Sequence, residues 1–410
     1  MAEIISVSAS DSPKSVRPPF WRDIRVLRIL AQTAAVIIVL LTLRWLFGNL
    51  TTNLDKQGIP TDFDFLDSPA GFAVRDSPFD PRSSITELLW VGIRNTAAVS
   101  GVGIIMALVL GAIIGIGRLS TNWIVNKLST LYVETFRNIP VLVIIIFFGF
   151  ALFTFGPLPE FNPTNPPNVI TFPGTDANVA IISKSRLGFL SVVNGDNAGF
   201  FWIIMAAGLL AAVIMWIWRT RVNERTGRPH HRVSYSLGTL LIIGIVAFLA
   251  LGAPLGWSYP TVSESGRVII GGIATNDGYI ALTLALGIYT GSHIAEIIRG
   301  SILAVAKGQT EASNALALSS MQRYRFIILP QAIRIALPSI INQFLNLVKN
   351  SSLAIAVAYP EITGLTKTAI GNGNPAPQMI LLLMGCYLAF SLFISLVLNI
   401  VNRRFQLVGR

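Results

Sequence analysis

A chain of 410 residues that is 52% apolar and only 12% charged carries about half the charge of an ordinary globular protein, and its mean hydropathy is +0.63. Its apolar residues fall in blocks of roughly 19 to 24, enough for a helix rising about 1.5 Å per residue to cross roughly 30 Å of hydrocarbon. A soluble enzyme and a disordered tail are excluded, and the net charge of +11 has to be read by where it lies.

Eight spans are predicted in chain order, over residues 29–47, 95–117, 138–156, 199–218, 235–253, 278–298, 335–358 and 379–401. The first follows 28 mostly polar residues that include Lys14, Arg17, Arg22, Arg25 and Arg28. No small-residue cleavage site comes after it, so it reads as a retained anchor. An even number of spans puts both termini on one side. With that side cytoplasmic, segments 1–28, 118–133, 219–234, 299–334 and 402–410 face inward with twenty Lys and Arg, against seven in the outer segments 48–87, 157–198, 253–277 and 359–378. The positive-inside rule therefore makes both termini cytoplasmic. The basic excess becomes a topology signal; lipid is the expected surrounding and no nucleic-acid partner is expected.

Two outer loops are distinctive. Residues 48–87 are rich in Asp, Pro and Phe, and residues 157–177 carry Pro157, Pro159, Pro163, Pro166, Pro167 and Pro173. Both are expected to be irregular and external. The single cysteine, Cys386, lies in an apolar run, which leaves no disulfide framework and no thiolate metal site. There is no nucleophile elbow, no HExxH and no phosphate-binding GxxxxGK[ST]. The chain is accordingly expected to be neither an enzyme nor a cofactor or metal binder, and its energy must come from a gradient or from another subunit.

Spans two to five and span eight are almost uniformly apolar, as lipid-covered helices should be. Span six contains Thr283, Tyr289, Thr290, Ser292, His293 and Glu296, and span seven contains Asn342, Gln343, Asn346, Lys349, Asn350, Ser351 and Ser352. Polar groups in hydrocarbon need partners, so these two helices must face protein or a water-filled path. Glu296 near the inner end reads as an interfacial ion pair with Arg299 at i+3, and His293 as hydrogen-bonded to a neighbouring helix rather than a proton relay or a metal ligand, since no second His lies nearby. Lys349 lies fourteen residues beyond Ile335, roughly 21 Å along an ideal helix. That depth disfavours pairing with Glu296. Lys349, Asn350, Ser351 and Ser352, with Asn346, form a candidate substrate path able to accept a carboxylate; the alternative is a snorkelling or subunit-paired lysine. Arg94 reads as a headgroup anchor and Glu134 with Arg137 as a second i,i+3 pair. Small-xxx-small motifs at Gly111–Gly115 and Gly287–Gly291 allow close helix approach but are common in such helices.

The inner segment joining the two polar spans reads EASNALALSSMQRYRFIILP over residues 311–330. A glutamate in a first helical turn suits the helix dipole, Gly308 frees the chain before it, and Pro330 punctuates the return to the membrane. The segment resembles the EAA loop of permease subunits in ATP-binding-cassette importers, whose pattern is EAA, three residues, Gly, nine residues, then I-x-L-P. Glu311, Ala312, Ile327, Leu329 and Pro330 match; Ser313 stands where the pattern has a second Ala, and Ala317 where it has Gly. The flanks ALTLALGIYTGSHIAEIIRGSILAVAKGQTEAS (281–313) and LNLVKNSSLAIAVAYPEI (345–362), with ETFRNIP (134–140), are similar to the polar amino-acid branch. The amino-terminal span and the insertion holding spans four and five lie outside the core so matched, and are similar to the larger permeases of general or neutral and acidic amino-acid systems.

That resemblance implies an all-α integral membrane protein with a type I importer permease core and about eight transmembrane helices. It implies a cytoplasmic segment 1–28, an extra helix 29–47, a periplasmic loop 48–87, a core in two parts (88–156 and 278–402, including a coupling loop 299–334), an insertion 157–277 with two extra helices, and a tail 403–410. It further implies a multi-pass inner-membrane subunit of a binding-protein-dependent amino-acid importer, coupled through Glu311, Ala312, Ser313, Ala317 and Pro330 to a cytoplasmic ATPase dimer. A second permease, a related hetero-partner, and a periplasmic amino-acid-binding protein would complete it. A gradient-driven secondary amino-acid transporter using His293 and Glu296 is the rival reading, and it leaves the loop unexplained. A membrane scaffold without solute flux is a third.

Overall fold

The computed structural model describes residues 21, 23–75, 77, 79–154, 158–160, 168–175, 177–227, 231–263 and 269–405. Most of the expected cytoplasmic segment 1–28, residues 406–410 of the expected tail, and Pro157, Pro163, Pro166 and Pro167 lie outside the described residues. Among the described residues the helices are α1 Ile24–Lys56, α2 Ile85–Gly117, α3 Trp123–Asn138, α4 Val141–Phe148, α5 Ala198–Thr226, α6 Arg232–Ala250, α7 Asp277–Leu303, α8 Lys307–Ala315, α9 Ser320–Arg323, α10 Leu329–Asn350, α11 Ile362–Gly371 and α12 Ala376–Phe405. Seven are long and apolar enough to cross a membrane, the run from Ser320 through α10 to Val357 counting as one, or eight if the bent pair of α3 and α4 is a single span.

The expected third span, 138–156, is not one straight helix. α3 and the α4 segment meet at 105°, because Pro140 removes a backbone donor and its neighbour Ile139 is held extended, at φ −97 and ψ 131. α3 buries only Val133, and α4 continues as a π-helical stretch, Gly149–Thr154. Of the two segments expected to be irregular, 157–177 holds a strand, β1 Asn168–Thr171. The other strands among the described residues lie further along the outer segments: β2 Asn178–Ile182, β3 Arg186–Phe189, β4 Ser191–Asn194, β5 Leu255–Ser258, β6 Thr261–Val262, β7 Ile269–Ile270 and β8 Ile273–Asn276. The order β1-β2-β3-β8 forms one antiparallel sheet, with β4-β5 and β6-β7 as separate ribbons. Proline blocks strand pairing only where it sits, and the paired runs NVIT, NVAII and RLGF contain none.

The chain divides into two compact units, Met1–Phe65 with Pro375–Gln378 and Leu66–Asn374 with Met379–Arg410. In the first, α1 is predominantly apolar over its spanning stretch, with Arg44 inside it, and the Gln378 amide donates to the Pro60 carbonyl. In the second, α7 is the central helix. Its buried face includes Ala281, Leu282, Ala285, Leu286, Ile294 and Ala295, and it packs with α2, α4 and α10 around Val99, Ile145, Phe344 and Leu347. Lipid is as apolar as leucine, so close approach rather than water exclusion must hold such helices together. The two glycine motifs supply it, and they face one another. A Cβ on Gly111 would lie 2.5 Å from Ile294 and 3.1 Å from the Gly291 carbonyl, and one on Gly115 would lie 2.7 Å from the Ala295 carbonyl. These contacts run in the same order along both helices, so α2 and α7 are parallel. α5 and α6 pack on each other, with Gly208 against Ile243.

Candidate functional site

The loop between α7 and α10 is built from its own hydrogen bonds. α8 starts at Lys307, earlier than expected, so Gly308 lies inside the helix and Glu311 is its fifth residue rather than part of its first turn. Ser313 is buried and its hydroxyl donates to the Thr310 carbonyl at 2.8 Å. Beyond α8 the chain turns through Ala317 at φ +53. The Ala317 amide bonds back to Asn314 at 2.9 Å and the Leu318 amide to Ser313 at 3.1 Å, a left-handed helix cap with alanine where glycine is favoured. Ser319 and Gln322 then form a capping box on α9. Arg323 reaches back to Asn314 at 2.5 Å, so α8 and α9 are tied side by side.

Pro330 lies in the first turn of α10, directly after a π-helical stretch, Tyr324–Ile328. The wider turn absorbs the missing proline donor without ending the helix, so this proline passes the chain into the membrane rather than breaking it. The root of the loop is fixed by Ile302, Ile328 and Ala332, packed with Leu119. Its outer surface is left bare: Glu311 and Ala312 are exposed, and so are Leu316 at 73% and Met321 at 76%.

Above this loop lies an ion network. Arg299 Nη2 is 2.6 Å from Glu296 Oε1, as the i+3 spacing leads one to expect. Arg118, at the C-terminal end of α2, also donates to Glu296 and stands 3.6 Å from Glu134 of α3. The expected Glu134–Arg137 pair is thus replaced by one between helices. Sequence spacing could not reveal this, because Arg118 and Glu296 are 178 residues apart. His293 meets Tyr289 edge-on with ring centroids 4.8 Å apart, and its Nε2 is buried without the expected partner among the described residues. No group of three His, Cys, Asp or Glu able to hold a metal occurs among the described residues.

The polar residues of α10 separate by face. Ala332, Ala336, Ile340, Phe344 and Leu347 are buried, whereas Asn342, Asn346 and Lys349, spaced by four and three residues, are all exposed and share a stripe. Leu347 packs on Gly103, about half-way along α2, so the Lys349 turn is at mid-height in the core. Ser351 is fully buried and its hydroxyl bonds to the Val348 carbonyl at 2.7 Å. Ser352 bonds to the Lys349 carbonyl at 2.8 Å, and Asn350 is half-buried between them. Asn346 and Lys349 therefore stand together while Ser351 is turned into the protein.

Glu361 gave no signal in the sequence. It is fully buried, caps α11 by accepting from the Thr363 and Gly364 amides at 2.9 and 2.8 Å, and accepts from the Tyr387 hydroxyl at 3.0 Å. Burial pushes its carboxyl above the usual range, against the pull of those donors. At the N-terminal end of α2, Arg94 does more than anchor: with Arg75 and Arg186 it lines a cavity of about 640 Å³.

Residues 232–407 match the family of binding-protein-dependent transport system inner membrane components. The chain is 38% identical to YhdX of Escherichia coli K12, named as an amino-acid ABC transporter permease, over 93% of this chain and 94% of that one. It is 33% identical to AapQ, a general L-amino acid transport system permease of Rhizobium johnstonii, over 93% of each. It is 34% identical to BztB, a glutamate/glutamine/aspartate/asparagine transport system permease of Rhodobacter capsulatus, over 98% of this chain and 99% of that one.

Proposed function

Because the chain belongs to the binding-protein-dependent transport system inner-membrane components, as an amino-acid ABC transporter permease of the type I fold, we propose that it forms one half of a translocation path and is driven through the loop carrying Glu311. The observation that carries this reading is the bare surface of that loop: two large apolar side chains, Leu316 and Met321, more than 70% exposed beside Glu311, on a frame braced by the Arg323–Asn314 bond. An exposed apolar knob on a stiff base is suited to a groove in a partner. The partner is a cytoplasmic ATPase dimer, since this chain carries no phosphate-binding motif of its own.

In this reading nucleotide closure draws two such loops together and tilts the helices rooted on them. α7 and α10 are rooted there through Ile302, Ile328 and Ala332. The Asn342, Asn346 and Lys349 stripe faces a second, related permease across the path, with Asn350 and Ser352 at its upper end and Ser351 holding the turn behind it. Substrate arrives on a periplasmic amino-acid-binding protein, and both termini are cytoplasmic, as the distribution of Lys and Arg supports.

The test is amino-acid uptake in membranes carrying the whole transporter. Glu311→Lys, or deletion of residues 311–317, is expected to abolish uptake and ATPase co-purification while membrane insertion persists. In the same assay Lys349→Ala is expected to slow uptake with the ATPase still bound. Wild-type uptake by the loop variants would overturn the coupling assignment, and unchanged kinetics in Lys349→Ala would remove the stripe from the path. Uptake that follows a proton gradient and survives loss of the ATPase would favour the secondary-transporter alternative.

A further inference from the structure

At the end of the core remote from the coupling loop, roughly 36 Å along α2 from Arg118 to Arg94, a cavity of about 640 Å³ opens between α2, the start of α7 and the strands of the insertion. Arg75, Arg94 and Arg186 are among its lining residues, and none of the described lining residues is Asp or Glu. Asp277 stands 3.2 Å from Arg75. Arg94 makes no hydrogen bond or ion pair with any other described residue, and Arg186 is brought to the rim by the register of β3 on β8, which sets it opposite Asn276. Asn276 caps α7, accepting from the Tyr279 amide at 2.8 Å, so the positive end of a 27-residue helix also points at this space.

The floor is preformed. Asn95 donates to the Pro360 carbonyl at 2.8 Å and the Tyr359 hydroxyl donates to the Asn95 carbonyl at 3.3 Å, while Glu361 pins the next residues through the α11 cap. A recessed, arginine-lined space of this volume falls within the roughly 300–1,000 Å³ of small-molecule clefts. A protein partner would instead require a broad exposed face.

We propose that this cavity is an outer capture site for the carboxylate of an incoming amino acid, ligated by Arg94 and Arg186, and that the insertion's role is to supply its second wall. Arginine suits this task because its planar fork accepts a carboxylate bidentately. Arg94 lies in the first part of the core and Arg186 in the insertion, so the site requires both. The inference rests on the permease reading, in which this end faces outward.

The experiment uses the full chain alone in lipid nanodiscs and a pool of the radiolabelled L-amino acids, with the corresponding amino-acid amides, which lack the carboxylate, as competitors. The unaltered chain is expected to retain label that free amino acids displace and amides do not. Arg94→Gln and Arg186→Gln are each expected to weaken retention by roughly tenfold or more, as loss of a charge-assisted bond implies; Arg94→Lys restores part of it and Arg82→Gln changes nothing. Phenylglyoxal modification of the unaltered protein guards against misfolded variants: the amino-acid pool should slow reaction at Arg94 and Arg186 but not at Arg82. Equal retention in the glutamine variants, equal competition by amides, or absence of protection would overturn the proposal. So would a second measurement, with a periplasmic amino-acid-binding protein added to the nanodiscs, in which the glutamine variants lose its capture with amino-acid retention intact; that would assign these arginines to protein docking. No ATPase is present in this assay, so its failure is distinct from failure of the coupling reading.

Discussion

Ala317 shows how much a single position carries. The loop pattern places glycine there, and the substitution is plain in the sequence, but the reason for glycine is not. It lies in the backbone: at φ +53 the residue closes α8 with two reversed hydrogen bonds, in a conformation where a Cβ costs about 1–2 kcal/mol. Glycine would relieve that cost and lose part of the gain to its greater freedom in the unfolded chain, about 0.4–1 kcal/mol. Ala317→Gly is therefore expected to stabilise the turn by about 0.5–1 kcal/mol, read as slower hydrogen exchange at the Leu316–Leu318 amides. Faster exchange would show that the left-handed turn is not where the strain sits. Glu361 is the opposite case. One acidic residue in an outer segment makes no pattern, and its burial becomes visible only when α11 and α12 are in place.

Helices differ from residues in what the sequence exposes. All eight predicted spans overlap helices, because unbroken hydropathy over twenty residues has few other structural outcomes. Their ends were less legible: the third span is a bend at Pro140, and α10 begins at Leu329 because a π turn accommodates Pro330. Strand β1 was hidden in 157–177 by the prolines around it. The pairing of α2 with α7 was legible only in half, since each glycine motif was visible and their meeting was not. A side chain at Gly111 or Gly115 would overlap the α7 backbone or Ile294, so Gly111→Leu is expected to destabilise the fold by about 1–3 kcal/mol or more and to lower the yield of monodisperse protein in detergent. Gly101, on the same helix, has nothing within 4 Å of its would-be Cβ. Gly101→Ala is expected to be neutral or stabilising by up to about 1 kcal/mol through helix propensity. Equal loss in both variants would mean that glycine flexibility, rather than contact with α7, matters on this helix.

For the molecule as a whole, orientation decides whether the coupling loop and the arginine cavity can act as proposed. The parallel run of α2 and α7 puts the loop at one end of the core and the cavity and sheet at the other. One charge asymmetry must therefore satisfy both sites: if twenty Lys and Arg on the side of the loop make that side cytoplasmic, the cavity meets the periplasm without further assumption. Single cysteines in a Cys386→Ala background test this. Thr175→Cys, in the exposed turn between β1 and β2, should react with a membrane-impermeant maleimide in intact spheroplasts. Met321→Cys, at 76% exposure on the coupling loop, should react only after the membrane is opened. The reverse pattern would put Leu316 and Met321 out of reach of any ATPase and turn the arginines toward the cytosol, and neither proposed role could then stand. The two labels test the fold's polarity independently of which amino acids pass through it, because they report only which end of α2 and α7 each side of the membrane sees.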